Sequence, residues 1–173
     1  MRKFSPDRRT IAICAVALVL IASVAGLWFW PILSDEARLR ADPEDIRQVA
    51  LGEVVYRTHC AACHGAKLEG QPNWRERKPD GKLPAPPHDE IGHTWHHTDH
   101  QLFRLTKLGV KPPLAPEGYQ SDMPAFEGVL TGAQIWAVLA FIKSKWPIDI
   151  RDRQEQINEA IRRQQAEKGE IKE

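Results

Sequence analysis

The chain has 173 residues, of which 42% are hydrophobic and 27% are charged, a composition that suits one small globular domain with an appended segment. Its 24 basic and 23 acidic side chains nearly cancel, so the charge gives no reason to expect a nucleic-acid partner.

An uncharged segment near the N-terminus, residues 10–33, predicts a transmembrane anchor. At about 1.5 Å per residue, an apolar helix over residues 11–33 would span a hydrocarbon core of roughly 30 Å. Residues 1–9, MRKFSPDRR, carry four basic side chains and one acidic side chain, a bias that keeps the N-terminus in the cytoplasm. The rest of the chain is therefore expected on the other side of the membrane.

A cleaved signal peptide is the alternative interpretation of this segment, with residues 23–25, SVA, as its cleavage site. The apolar run continues beyond that site to Leu33, and Trp28 and Trp30 suit the aromatic belt of a membrane interface. These features favour an uncleaved anchor. Cys14 lies inside the span, and we interpret it as a packing residue.

Residues 34–42 form a short charged tether, and the first helix of the domain is predicted directly after it. Asp42 would cap this helix, with Pro43 at its first position. Gly52 lies in mid-helix, where glycine costs about 1 kcal/mol relative to alanine, which indicates the close approach of another helix. The side chains available to a core are predicted to be Ile46, Val49, Val54 and Tyr56.

Two of the three cysteines, Cys60 and Cys63, are three residues apart, and His64 follows directly. A disulfide oxidoreductase would need a β-rich run before this motif, and none precedes it. A zinc site would need two more ligands at suitable spacing, and the sequence has no second cysteine pair. A disulfide between these cysteines would close too short a loop to stabilise the fold much. The fourth interpretation is a c-type haem attachment site, with two thioethers and an adjacent histidine for the iron. The predicted topology places this motif outside the cytoplasm, which agrees with a haem attachment site.

A proline-rich stretch without periodicity, residues 70–92, predicts an irregular loop. Four of the seven histidines follow in residues 93–100, HTWHHTDH. Imidazoles suit copper, but polar side chains before a helix are usually solvated, so we favour a solvated segment over a dedicated metal site. A helix is then predicted from a capping box of Thr98 and Gln101 to Gly109.

Met123 is the only methionine apart from the initiator, and it follows a loop rich in proline and glycine. Such a loop stays irregular and can lay a side chain against a flat cofactor. A methionine packed in a small core is the common alternative. The haem motif upstream and the sequence MPAF favour Met123 as the second iron ligand.

The last helix of the domain is predicted to begin at a capping box of Thr131 and Gln134 and to end before Pro147. Its apolar face would comprise Ile135, Val138, Leu139 and Ile142. Residues 148–173 are rich in charge and poor in large apolar side chains. They predict a solvated helical or flexible tail, with a partner-docking arm as the alternative.

Residues 43–147 resemble a class I c-type cytochrome domain, and the chain resembles the single-haem, membrane-anchored cytochromes c of bacteria. The resemblance implies an all-α fold of several helices around one covalently attached haem c. It also implies thioethers at Cys60 and Cys63, His64 as the proximal iron ligand and Met123 as the distal ligand.

The resemblance further implies roles for residues around the haem. A proline carbonyl is expected to accept a hydrogen bond from the proximal imidazole. Pro86 or Pro87 fits this role best, with Pro72 as a rival. We predict Pro87 as the acceptor. The residues expected to hydrogen-bond a haem propionate are Trp95 with His96 or His97. At the crossing of the first and last helices, the aromatic residues expected beside Gly52 are Tyr56 and Phe141.

The implied function is one-electron transfer between a redox donor and an acceptor, on the periplasmic side of a bacterial inner membrane. The chain is expected to be a carrier rather than an enzyme, because both axial positions of the iron would be filled. Two alternatives stay open. One is a fixed electron-transfer subunit of a membrane dehydrogenase or oxidase, and the other is a haem sensor in which Met123 is a labile ligand.

Overall fold

Helices form the regular structure of residues 40–169, the part of the chain that the computed structural model describes. The predicted anchor and most of the tether lie outside these residues. Within them no helix is both long and apolar enough to cross a membrane. In chain order, the described helices are α1 (Ile46–His59), α2 (Ala61–His64), a 3-10 helix (Thr94–His96), α3 (Asp99–Leu108), α4 (Gly132–Ser144) and α5 (Ile148–Glu167).

Helix α1 begins later than the sequence predicts. Asp45 is its N-cap, and the Asp45 carboxylate accepts hydrogen bonds from two N–H groups of the first turn, at 2.9 and 3.2 Å. Asp42 instead stabilises the turn ahead of the helix, where its Oδ1 accepts from the Glu44 N–H at 3.0 Å. The predicted start at Asp42 and Pro43 was therefore wrong, because the second aspartate supplies the cap.

Helices α1 and α4 cross at Gly52, and this crossing forms the centre of the domain. A Cβ atom at Gly52 would lie 1.9 Å from the carbonyl oxygen of Ala137 in α4, so only glycine permits this separation. The rings of Tyr56 and Phe141 pack beside the crossing, with their centroids 5.3 Å apart. The predicted helix crossing and its aromatic pair are confirmed.

The crossing also decides which face of α1 is buried. Val55 and Tyr56 turn inward with Gly52. Ile46 is 84% exposed and Val54 63% exposed, so their predicted place in the core was wrong. A helix presents residues three and four apart to the same neighbour, and the glycine sets the register of that face.

Helices α3 and α4 begin and end as predicted. The Thr131 hydroxyl accepts from the Gln134 N–H, and the Gln134 side chain in turn accepts from the Thr131 N–H, a complete capping box. The Thr98 hydroxyl accepts from the Gln101 N–H and caps α3, which ends at Gly109 with a positive φ of 81°. Only this half of the predicted capping box is formed, because the structure shows no bond from the Thr98 N–H to the Gln101 side chain. The predicted apolar face of α4 is buried: Ile135, Val138, Leu139 and Ile142.

Helix α5 confirms that the predicted tail is helical but corrects its solvated character, because one face of its first half is buried. Gln154 is fully buried, and its amide donates to Asp99 Oδ1 at 2.7 Å. The Asn158 side chain accepts from the Asp99 N–H at 2.8 Å, and Lys143 of α4 forms a buried ion pair with the Asp99 carboxylate at 2.7 Å. Helix α5 therefore packs on the start of α3 through polar side chains, a mode of burial that a hydrophobicity pattern does not reveal.

Candidate functional site

The end of α1 and the short helix α2 position the cysteine pair and the following histidine. The His64 N–H donates to the Cys60 carbonyl at 2.9 Å, so the motif is wound into one tight helical turn. The two cysteines are not joined in a disulfide; Cys63 is exposed and Cys60 is half-buried. Burial, with a smaller contribution from Cys63, raises the pKa of Cys60 to about 11.

His64 is 7% exposed, and one hydrogen bond restrains the edge of its ring. Its Nδ1 lies 2.8 Å from the carbonyl oxygen of Pro86. Because a carbonyl oxygen only accepts, Nδ1 carries the hydrogen and Nε2 is left with a free lone pair. Burial lowers the pKa of His64, against a smaller opposing effect of the Pro86 hydrogen bond. The ring is therefore a neutral imidazole, the form that binds metals.

The hydrogen bond to His64 corrects the choice of Pro87 as its acceptor. The Pro87 carbonyl faces Gly92 instead, where an added Cβ would lie 2.1 Å from the Pro87 oxygen. The two adjacent carbonyls point in different directions, as in any extended backbone. Pro86 therefore takes the predicted role, and Pro87 contributes as a fully buried packing residue.

His88 makes a contact with His64 that the sequence did not reveal. Its ring stacks on the His64 ring with centroids 3.9 Å apart and an interplanar angle of 21°. Burial and the neighbouring His64 hold the pKa of His88 well below its usual range. No motif marks this residue, and only the path of the loop brings it to the ring face.

The role expected of Trp95 and His96 at a haem propionate stays a prediction, and the structure shows only what these two side chains contact. The Trp95 indole N–H donates to the Glu90 carbonyl at 3.1 Å, so this donor is already engaged within the loop. The Trp95 ring stacks on His96 with centroids 3.7 Å apart. The structure therefore gives no support to Trp95 as the donor to a propionate.

In residues 40–169, no group of three or more His, Cys, Asp or Glu side chains is arranged to hold a metal ion.

The segment that carries Met123 returns to the cysteine motif. Met123 is half-buried and packs against the hydrophobic core. Three residues later, the buried Phe126 meets the ring of His59 edge-on, with centroids 6.1 Å apart. Asp122, beside the methionine, forms ion pairs with Lys78 at 2.9 Å and with Lys82. These contacts connect the methionine segment to α1 and to the proline-rich loop.

The donor set fits a c-type haem. It offers two free thiols for thioethers, a buried imidazole whose Nε2 is unprotonated, and one thioether sulfur on a returning segment. The apolar side chains around it are buried, as the packing of a porphyrin requires. The spacing of Cys60, Cys63 and His64 is that of a c-type haem attachment site.

The comparison with known families agrees with this chemistry. The family model described as Cytochrome c matches residues 49–146, which is more than half of the chain. No curated protein and no solved structure matches the chain. Helix α5 lies beyond the matched region and packs on it. From its matched region, its helical fold and its cysteine–histidine motif, the chain belongs to the cytochrome c family, carries a covalently attached haem c and functions in electron transfer.

Proposed function

We propose that this chain is a single-haem electron carrier anchored in a bacterial inner membrane, with its haem domain in the periplasm and with His64 and Met123 as axial ligands. The hydrogen bond from His64 Nδ1 to Pro86 is the observation that carries the proposal, because it leaves Nε2 for the iron. Met123 is the only methionine besides the initiator and packs against the core, which supports it as the second ligand.

Each ligand has a distinct effect on the chemistry. The bound haem supplies a one-electron couple. The Pro86 carbonyl polarises the His64 N–H, which makes the opposite ring nitrogen a stronger donor. The Met123 sulfur favours the reduced iron, so the pair gives a higher potential than two histidines would. If His64 and Met123 both held the iron, small ligands would have no open site, which favours electron transfer over gas sensing.

The partners of the proposed carrier are a redox protein that donates the electron and another that accepts it. An anchor over residues 10–33 would confine the haem domain to the membrane surface. Membrane dehydrogenases and oxidases, which are confined to the same surface, are therefore the partners that we propose, either as transient encounters or as a stable complex.

The Met123 ligand is tested by two substitutions. In Met123→His the weak near-infrared absorption of the sulfur–iron bond is expected to disappear, and the reduction potential is expected to fall, because nitrogen favours the oxidised iron. In Met123→Ala the reduced protein is expected to bind carbon monoxide. The control is Val129→Ala, at a 60% exposed site of the same segment, which should change none of these properties. Unchanged potential and carbon monoxide reactivity in Met123→Ala would instead direct attention to the histidines of residues 93–100.

The anchor is tested by extraction. If residues 10–33 are retained, the haem protein stays in membranes after high-salt and carbonate washes and dissolves only in detergent. Its N-terminal sequence then begins before residue 25. A washed-off haem protein whose sequence begins near residue 26 would show a cleaved signal peptide and a freely diffusing carrier.

A further inference from the structure

The His88 ring covers one face of the His64 ring. This contact is additional to the hydrogen bond between Nδ1, at the edge of the His64 ring, and the Pro86 carbonyl. His88 lies two residues after Pro86, so one short stretch of loop supplies both the carbonyl at the ring edge and the ring on its face. The two ring centroids are 3.9 Å apart and the planes are inclined by only 21°. At this distance the rings are in van der Waals contact over their faces.

The His88 ring is itself held firmly. Its backbone N–H donates to the Leu68 carbonyl at 2.7 Å, and its carbonyl accepts from the Trp146 indole N–H at 2.7 Å. The His88 Nδ1 lies 2.6 Å from the hydroxyl of Thr94, a residue that is 6% exposed. Tyr56 meets the ring at a steep angle of 71°, with centroids 6.4 Å apart. The hydrogen bonds of its backbone N–H, its carbonyl and its ring Nδ1 together hold His88 in one orientation.

We propose that His88 is a positioning residue, which fixes the rotation of the His64 ring about its bond to the iron. The inference rests on the proposed role of His64 as an axial ligand. A single hydrogen bond at Nδ1 restrains one edge atom of the ring and permits it to rock. A second ring in contact with its face blocks that rocking, because any rotation drives the two planes together.

The orientation of an axial imidazole has a spectroscopic consequence. The imidazole plane selects which iron d orbital holds the unpaired electron of the oxidised protein, and thereby how spin density is divided among the four haem methyl groups. The proton shifts of these methyl groups report the orientation of the ring directly. A general loss of stability does not redistribute them. His88 acts on this quantity through His64 and need not contact the iron.

The experiment compares His88→Ala with His88→Phe by proton NMR of the oxidised full-length protein in detergent. Removal of the ring in His88→Ala is expected to redistribute the four methyl shifts. The planar ring in His88→Phe should keep the wild-type order. The matched control is Ile150→Ala, which truncates a buried side chain of α5 and should leave the methyl pattern unchanged.

The outcomes separate the inference from the function on which it rests. A wild-type methyl pattern in His88→Ala overturns the positioning role. So does an equal redistribution in Ile150→Ala, since the effect would then be one of stability. If His88→Ala does not retain haem, Thr94→Val releases the His88 ring without removing it, and an unchanged pattern in that variant also overturns the inference. If wild-type spectra lack the signature of low-spin iron with a histidine ligand, the proposed ligation fails instead.

Discussion

Replacement of both Cys60 and Cys63 by alanine is expected to abolish covalent haem attachment completely. Each sulfur would form one of the two thioethers, and no other cysteine lies within the described residues to replace it. After denaturing electrophoresis, peroxidase staining at the position of the chain should disappear. The described core is also expected to lose its helical circular dichroism in part, because apolar side chains that would pack on the porphyrin lose their partner.

The third cysteine provides a matched control for this experiment. Cys14→Ala removes a thiol of the same type from outside the haem motif and should leave the stain at its wild-type intensity. The single variants Cys60→Ala and Cys63→Ala each keep one attachment point, so reduced but detectable staining is expected from them. Staining that persists in the double variant would contradict thioether attachment at this motif.

The parts of the site that follow from the sequence are those whose chemistry is concentrated in adjacent residues. Cys60, Cys63 and His64 share one helical turn, so their spacing alone indicates the cofactor, and the family match agrees. The helix boundaries at Thr98 and Thr131 followed for a similar reason, since a cap depends on side chains three residues apart.

The parts that the sequence could not supply depend on the path of the loop or on buried polar contacts. Adjacent prolines are equivalent in the sequence, and only the backbone direction distinguishes the carbonyl of Pro86 from that of Pro87. The stacking of His88 on His64 depends on how a loop without periodicity folds back. The docking of α5 depends on Gln154, which a hydrophobicity pattern assigns to solvent although it is fully buried.

Substitution of Gly52 by alanine is expected to destabilise the domain by about 3 kcal/mol or more, the upper end of the usual cost of overpacking. The added Cβ would lie 1.9 Å from the Ala137 carbonyl oxygen and 2.5 Å from its carbon. These atoms belong to the backbone of α4, so no side-chain rotation can relieve the contact and the two helices must separate. The gain in helix propensity, about 1 kcal/mol, is too small to compensate.

Chemical denaturation measures this effect, as a lower midpoint at an unchanged slope. Gly132→Ala is the matched control, because an added Cβ there meets nothing closer than a Phe103 ring atom at 3.8 Å and should cost nothing. The double variant Gly52→Ala with Ala137→Gly should not recover stability, since the clash is with the carbonyl of residue 137 rather than with its methyl group. Wild-type stability in Gly52→Ala would mean that α1 and α4 do not cross at this glycine, and recovery in the double variant would mean that they meet through side chains. Either result would contradict the close backbone packing of α1 on α4. This packing places the cysteine motif, at the end of α1, against the rest of the domain.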